Sequence, residues 1–215
     1  MEDIIMNNEI TEVVFILDRS GSMHNLEEDT IGGYNSFLQK QKQEKGTCLI
    51  STTLFSSMSE EIITHQEIST VREMTKGDYQ AAGCTALLDA LGDSITEMDS
   101  YLEEKEGKRN IIYVIITDGK ENSSRRYDSK TIRKMISQRQ DEGWQFIFLA
   151  SNINAEEEAS SIGIRKENSV NYRNDKEGIA KNFDGISKAV MMMRTCSCFS
   201  VDWRKDIDND FQSRK

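Results

Sequence analysis

Short apolar runs rich in β-branched residues alternate along this chain with longer stretches whose apolar positions recur every three or four residues, a pattern that predicts strands interleaved with helices. Val13-Val14-Phe15-Ile16-Leu17 is unbroken and apolar, and the polar cluster Asp18 to Ser22 closes it, as expected of a strand covered on both faces. From Thr30 to Lys45, Ile31, Tyr34, Phe37 and Leu38 fall at helical spacing, and Gly46 stands where a helix C-terminus favours glycine. Thr47 to Phe55 and Glu60 to Ile68 read as strands joined by the turn Ser56-Ser57-Met58-Ser59, which makes the second an antiparallel edge. A short helix is expected near Thr70 to Met74, followed by the irregular stretch Lys76 to Cys84.

Leu87, Leu88, Leu91, Ile95, Met98 and Leu102 then mark a long helix closed by Gly107. Ile111 to Ile116 is the most apolar β-branched run and predicts a central strand ending at Thr117-Asp118-Gly119. Helix over Ser129 to Gln140, strand over Trp144 to Leu149, short helix over Asn154 to Ile162 and strand over Ser169 to Tyr172 follow. The last helix, Lys176 to Met193, sets Ile179, Phe183, Ile186, Val190 and Met193 on one face, with Met191-Met192-Met193 read as core filler. The expected division is one domain over 1–195 and a polar C-terminal tail over 196–215.

Alternation of this kind, with right-handed crossovers, implies an α/β fold: a doubly wound, Rossmann-like, mostly parallel six-stranded sheet with one antiparallel edge strand and helices on both faces. Ligands of such sheets bind beyond the carboxyl ends of the strands, where the strand order reverses.

A length of 215 residues suits one such domain. Lys and Arg number 27 against 37 Asp and Glu, and the net charge of −10 opposes a nucleic-acid partner in the absence of a separate basic patch. No apolar run approaches the ~18 residues of a membrane span, and Met1 to Asn8 carries acids where a secretory signal carries Lys or Arg, so a cytoplasmic location is expected. Cys48, Cys84, Cys196 and Cys198 are too sparse for a disulfide framework, and Cys196-x-Cys198 lacks the second pair that a zinc site needs.

The candidate chemistry lies at the strand ends. Asp18, Ser20 and Ser22 follow the first strand, with Gly21 allowing a tight turn; Asp118 ends the central strand; and Thr85 precedes the long helix, placed either to cap it or to offer its hydroxyl elsewhere. Two carboxylates and three hydroxyls suit a hard cation of octahedral preference, Mg²⁺ with Mn²⁺ as a substitute. His24 is expected to be an exposed loop residue, His65 a residue of the edge strand without a functional role, and Asp89 and Asp93 a polar helix face. Cys84 is expected to pack in the core, and Glu121 to Ser124 to shape the choice of partner.

Asp18-x-Ser20-x-Ser22, Thr85 within Gly-Cys-Thr-Ala-Leu, and Asp118 within Thr-Asp-Gly, in this order and strand context, resemble the metal-ion-dependent adhesion site of von Willebrand factor A domains. The resemblance extends from about Thr11 to Arg194. It implies that Ser20, Ser22 and Thr85 contact the metal through hydroxyls, and that Asp18 and Asp118 act directly or through water. It also implies an open coordination position filled by an Asp or Glu carboxylate of a protein partner. The expected function is therefore a non-enzymatic, metal-dependent protein-interaction domain. The alternative is a Mg²⁺-dependent hydrolase or phosphoryl-transfer enzyme using Asp18 and Asp118.

Overall fold

A computed structural model describes residues 9–214. Six strands, β1 (Ile10–Asp18), β2 (Cys48–Phe55), β3 (Ser59–Glu67), β4 (Arg109–Thr117), β5 (Gln145–Ala150) and β6 (Ser169–Asn171), form one sheet in the order β3-β2-β1-β4-β5-β6. All neighbours are parallel except the β2/β3 hairpin. Strand order therefore reverses between β1 and β4, which puts Asp18 and Asp118 at the mouth of the reversal crevice.

The helices are α1 (Glu27–Lys42), α2 (Leu87–Glu103), α3 (Ser129–Asp141), α4 (Ala155–Ser161), α5 (Lys176–Cys196) and α6 (Lys205–Ser213). β1 is buried from Thr11 to Asp18 and feeds both faces of the sheet: Val13, Phe15 and Leu17 pack with α1 and α5, whereas Val14 and Ile16 pack with α2, α3 and α4. That two-sided burial explains the unbroken apolar runs in β1 and β4. Side-chain caps start three of the helices, from Asp128, Asn154 and Asp175.

Several sequence expectations are corrected. The helix expected near Thr70 to Met74 is a single 3-10 turn, Ile68–Thr70, followed by irregular chain. Of the three consecutive methionines only Met193 is core; Met191 is exposed and Met192 half-buried, because consecutive helical residues point in different directions. The stretch 196–215 is, over its described part, no tail. After Ser197 turns the chain in the left-handed conformation (φ 47°), a 3-10 turn at Val201–Arg204 leads into α6. Trp203 and Ile207 are both 1% exposed and join the α1/α5 core. Gly185 of α5 makes this packing possible, since a Cβ there would lie 2.8 Å from the Trp203 carbonyl oxygen. Cys196 and Cys198 are joined by a disulfide across that turn, a local link rather than a framework.

At the amino end of β1, away from the crevice, Glu12 is buried between Arg109 and His65. Its Oε1 accepts from Arg109 Nη1 at 2.6 Å, and its Oε2 lies 3.3 Å from His65 Nδ1. His65 reaches inward because β3 bulges opposite Ser51, which puts His65 at φ 42° and its N–H on the Ser51 hydroxyl. The ring stacks on Tyr101 at 3.5 Å, and its Nε2 faces Glu97 at 3.0 Å. Burial alone would push the His65 pKa down, but the hydrogen bond to Glu12 and the charges of Glu97 and Glu12 outweigh it and hold the pKa above the ordinary histidine value.

Two outcomes follow from these contacts. Trp203→Ala is expected to destabilise the protein by about 3–5 kcal/mol in urea unfolding; an unattached tail would give no change. A raised histidine pKa contributes stability that is fully present below about pH 6.5 and is lost as pH rises through the folded-state value. The stability difference between wild type and His65→Phe should therefore be largest near pH 6 and shrink towards alkaline pH, and a pH-independent difference would refute the charged pairing.

Candidate metal centre

The site is assembled from three loops. β1 ends in Asp18, whose Oδ1 accepts the Ser20 N–H at 2.7 Å and whose Oδ2 accepts the Thr117 hydroxyl at 2.6 Å. The first bond folds the chain back into a tight turn, so Ser20 and Ser22 lie side by side, Oγ to Oγ 3.1 Å. Ser22 Oγ donates to Asp118 Oδ1, which ties the loop after β1 to the end of β4. The Asp18 carbonyl accepts from the buried Tyr79 hydroxyl, and the Gly21 N–H reaches the Gly83 carbonyl at 3.0 Å. Gly83 holds φ +84°, a conformation that favours glycine, and its loop brings Thr85 alongside.

Thr85 is not a helix cap. α2 begins at Leu87 without a side-chain cap from its own flank; Leu88 N–H is satisfied by Glu121 Oε2 and Asp89 N–H by Ser124 Oγ, both from the loop after β4. Asn122 fixes Thr85 from both sides, its Oδ1 accepting the Thr85 N–H at 2.9 Å and its own N–H donating to the Thr85 carbonyl at 3.0 Å. The Thr85 hydroxyl faces Gly119, where a Cβ would meet Thr85 Oγ1 at 3.5 Å and Ser22 Oγ at 3.8 Å. The Ser20 side chain likewise makes no capping bond to the turn it opens.

Asp18, Ser20, Ser22, Thr85 and Asp118 are thus brought to one crevice, all buried except Ser22. The Asp118 Oδ2 atom is buried with no hydrogen-bond partner. Two carboxylates so placed repel one another. Burial raises the Asp18 pKa first; hydrogen bonds from Thr117 and Ser20 oppose the rise, and the neighbouring Asp118 charge adds to it. An orphaned carboxylate oxygen, a second carboxylate and three hydroxyls form a donor set suited to a hard divalent cation. No group of three or more His, Cys, Asp or Glu side chains fit to hold a metal occurs among the described residues, so a cation here would depend on the hydroxyls.

The surrounding residues sort themselves. His24 is exposed with Nδ1 3.8 Å from Glu27, as expected of a loop residue. Asp89 accepts the N–H groups of Arg125, Arg126 and Tyr127, and Asp93 pairs with Arg126; both hold the loop after β4. Glu121, expected to shape partner choice, spends its carboxylate on Leu88, Ser123 and Ser124 inside the protein. Cys84, expected in the core, is an exposed free thiol beside Thr85, because the Gly83 turn points it outward from the loop. Thr117 and Tyr79 are not among the residues the sequence singles out, though Thr117 adjoins Asp118; Asn122 falls within the stretch expected to shape partner choice and instead holds Thr85.

Replacing Asp18 by Asn removes a buried charge whose ionised form is disfavoured above the unfolded-state pKa, near 4, so the metal-free variant should melt no lower than wild type at neutral pH. A metal-free melting temperature several degrees below wild type would mean that the carboxylate serves the fold rather than a ligand.

A sequence model of the von Willebrand factor type A domain matches residues 12–185. A search of curated protein sequences finds no match. Among solved structures, the chain is similar to proximal thread matrix protein 1 of the mussel byssus with a zinc-occupied MIDAS motif (15% identity, TM-score 0.58, 85% of this chain and 46% of that one). It is also similar to the PilB minor pilin of Streptococcus sanguinis (12%, 0.61, 88% and 63%). A third is the manganese-loaded TRAP protein of Plasmodium vivax (18%, 0.51, 66% and 57%). At these identities the likeness is one of fold, and the chain spans less than two thirds of each of these proteins.

Proposed function

The chain belongs to the von Willebrand factor type A domain family, and from that premise we propose that it is a non-enzymatic binding module built around a divalent cation. Asp18, Ser20, Ser22, Thr85 and Asp118 would hold the ion, Mg²⁺ in the first instance with Mn²⁺ as a substitute, leaving one position for an Asp or Glu carboxylate of a protein partner. The observation that carries this reading is the buried, unpartnered Asp118 Oδ2 in a crevice shared with a second carboxylate and three hydroxyls. A bound cation would supply the opposite charge that this crevice lacks and a Lewis-acidic contact for the partner's carboxylate. Manganese and zinc in two of the similar structures support a divalent ion, and the pilin and byssus proteins support a role in interaction.

The enzymatic alternative gains nothing from the geometry. Both oxygens of Asp18 are engaged as acceptors, which suits a fixed charge more than a nucleophile. Both ring nitrogens of His65 and Nδ1 of His24 face carboxylates, and among the described residues neither imidazole ring is placed on a serine hydroxyl as nucleophile activation requires.

Calorimetric titration with Mg²⁺ and Mn²⁺, with and without excess acetate as a stand-in for the partner's carboxylate, tests the proposal. Wild type should bind both ions and, at a hundredfold excess over Kd, gain about 2.7 kcal/mol, a rise in melting temperature of about 5–10 °C for a chain of this size. An Asp18→Ala, Ser20→Ala double variant should show neither effect. Equal binding by the two proteins, or no binding by wild type even with acetate, would overturn it.

A further inference from the structure

A cavity of about 710 Å³ opens beside the metal centre at the carboxyl ends of β5 and β6, walled by Lys120, Asn152, Tyr172, Arg173, Asn174 and Phe211. It adjoins the site through two links. Lys120 is two residues beyond Asp118 on the same loop, and Asn152 follows Ser151, whose N–H donates to the Thr117 carbonyl at 3.2 Å. None of the residues lining it is acidic, in a chain of net charge −10.

The walls are prepared for an anionic, peptide-like guest. Arg173 is held in place by its bond from Nη2 to the Phe211 carbonyl at 2.9 Å and by the Phe211 ring 4.8 Å beneath the guanidinium. Fixed guanidinium groups favour carboxylates. Lys120 is two-thirds exposed, and its pairing with Glu158 at 3.2 Å is of the exposed kind that exchanges at little cost. Asp175, the nearest acid in sequence to Arg173, is turned to Arg214 and to the start of α5. The Asn174 Oδ1 and the Arg173 Nε are buried without hydrogen-bond partners, so the wall carries unmet polar capacity. Asn152 sits at φ 59° on the rim, a left-handed conformation that few residues other than glycine and asparagine adopt.

We propose that this cavity is the partner's second anchor: an extended acidic peptide segment places one carboxylate at the metal and a second on Lys120 and Arg173. This rests on the metal-bridged binding proposed above. The spacing follows from the sheet. β4 and β6 are two strands apart, roughly 10 Å at ~4.8 Å per strand, and an extended chain advances about 3.3 Å per residue, so the second acid falls about three residues after the first. The partner class is thus an acidic strand or loop with two carboxylates in one short stretch.

Blocked hexapeptides of glycine carrying one Glu, two Glu separated by two glycines, or the same with the second Glu replaced by Gln test this by NMR titration in Mg²⁺ and in EDTA. In Mg²⁺ the second Glu should tighten binding about fivefold over the one-Glu and Gln peptides. Lys120→Gln and Arg173→Gln should each remove most of that gain while leaving Mg²⁺ affinity and one-Glu binding unchanged. Lys120 is a surface residue, so its variant keeps the test sound should Arg173→Gln fold poorly. Equal binding of one-Glu and two-Glu peptides in Mg²⁺ overturns the second anchor and leaves the metal reading standing. Two-Glu binding that survives EDTA but not Lys120→Gln keeps the cavity and overturns the metal bridge. Failure of every peptide to bind overturns both.

Discussion

Two carboxylates held at the ends of neighbouring parallel strands repel one another, and much of the local architecture is a response to that repulsion. Asp18 and Asp118 are almost wholly buried at the crevice between β1 and β4, where water cannot screen them. Ser20 N–H and Thr117 Oγ1 serve Asp18, and Ser22 Oγ serves one oxygen of Asp118. The other oxygen has no partner. A fold that spends this much burial on like charges gives up stability, as functional sites often do. A divalent cation would turn the same repulsion into attraction.

The loops that make the crevice are fixed from behind by residues that never face it. Glu121 and Ser124 satisfy the first N–H groups of α2, Asp89 gathers three N–H groups of the loop after β4, and Asn122 clamps Thr85. Thr85 is thereby freed from capping its own helix, which leaves its hydroxyl to the crevice. At the opposite end of the sheet charge is handled differently, with Glu12 buried against Arg109 and His65 and no oxygen left over. The charge cluster at that end is closed, whereas the one at the crevice leaves Asp118 Oδ2 without a partner.

Much of this was legible in the chain because β1 and β4, covered on both faces, write themselves as unbroken apolar runs, and the polar residues that follow such runs include Asp18, directly after the first, and Asp118, one residue beyond Thr117 after the second. The long helices were legible through their periodicity, and the β2/β3 hairpin through its serine-rich turn. What escaped depends on contacts between distant residues or on local turns. The inward reach of His65 needs a bulge, the capping role of Glu121 spans 33 positions, and the outward aim of Cys84 follows from the φ of Gly83. The docking of α6 did leave a trace, since Trp203, Ile207 and Phe211 stand four residues apart, but so few apolar residues in a mostly charged stretch look like a tail until α5 is known to present Gly185 to them.

The most direct measurement is diffraction from crystals soaked in Mn²⁺, recorded where manganese scatters anomalously. One ion should lie in the crevice, within about 2.0–2.2 Å of hydroxyl oxygens from Ser20 and Ser22 and close to Asp118, with a solvent molecule on the side open to a partner. A crystal saturated with Mn²⁺ whose crevice stays free of the ion, or whose ion sits on other residues, would contradict the claim that these five side chains form a metal centre.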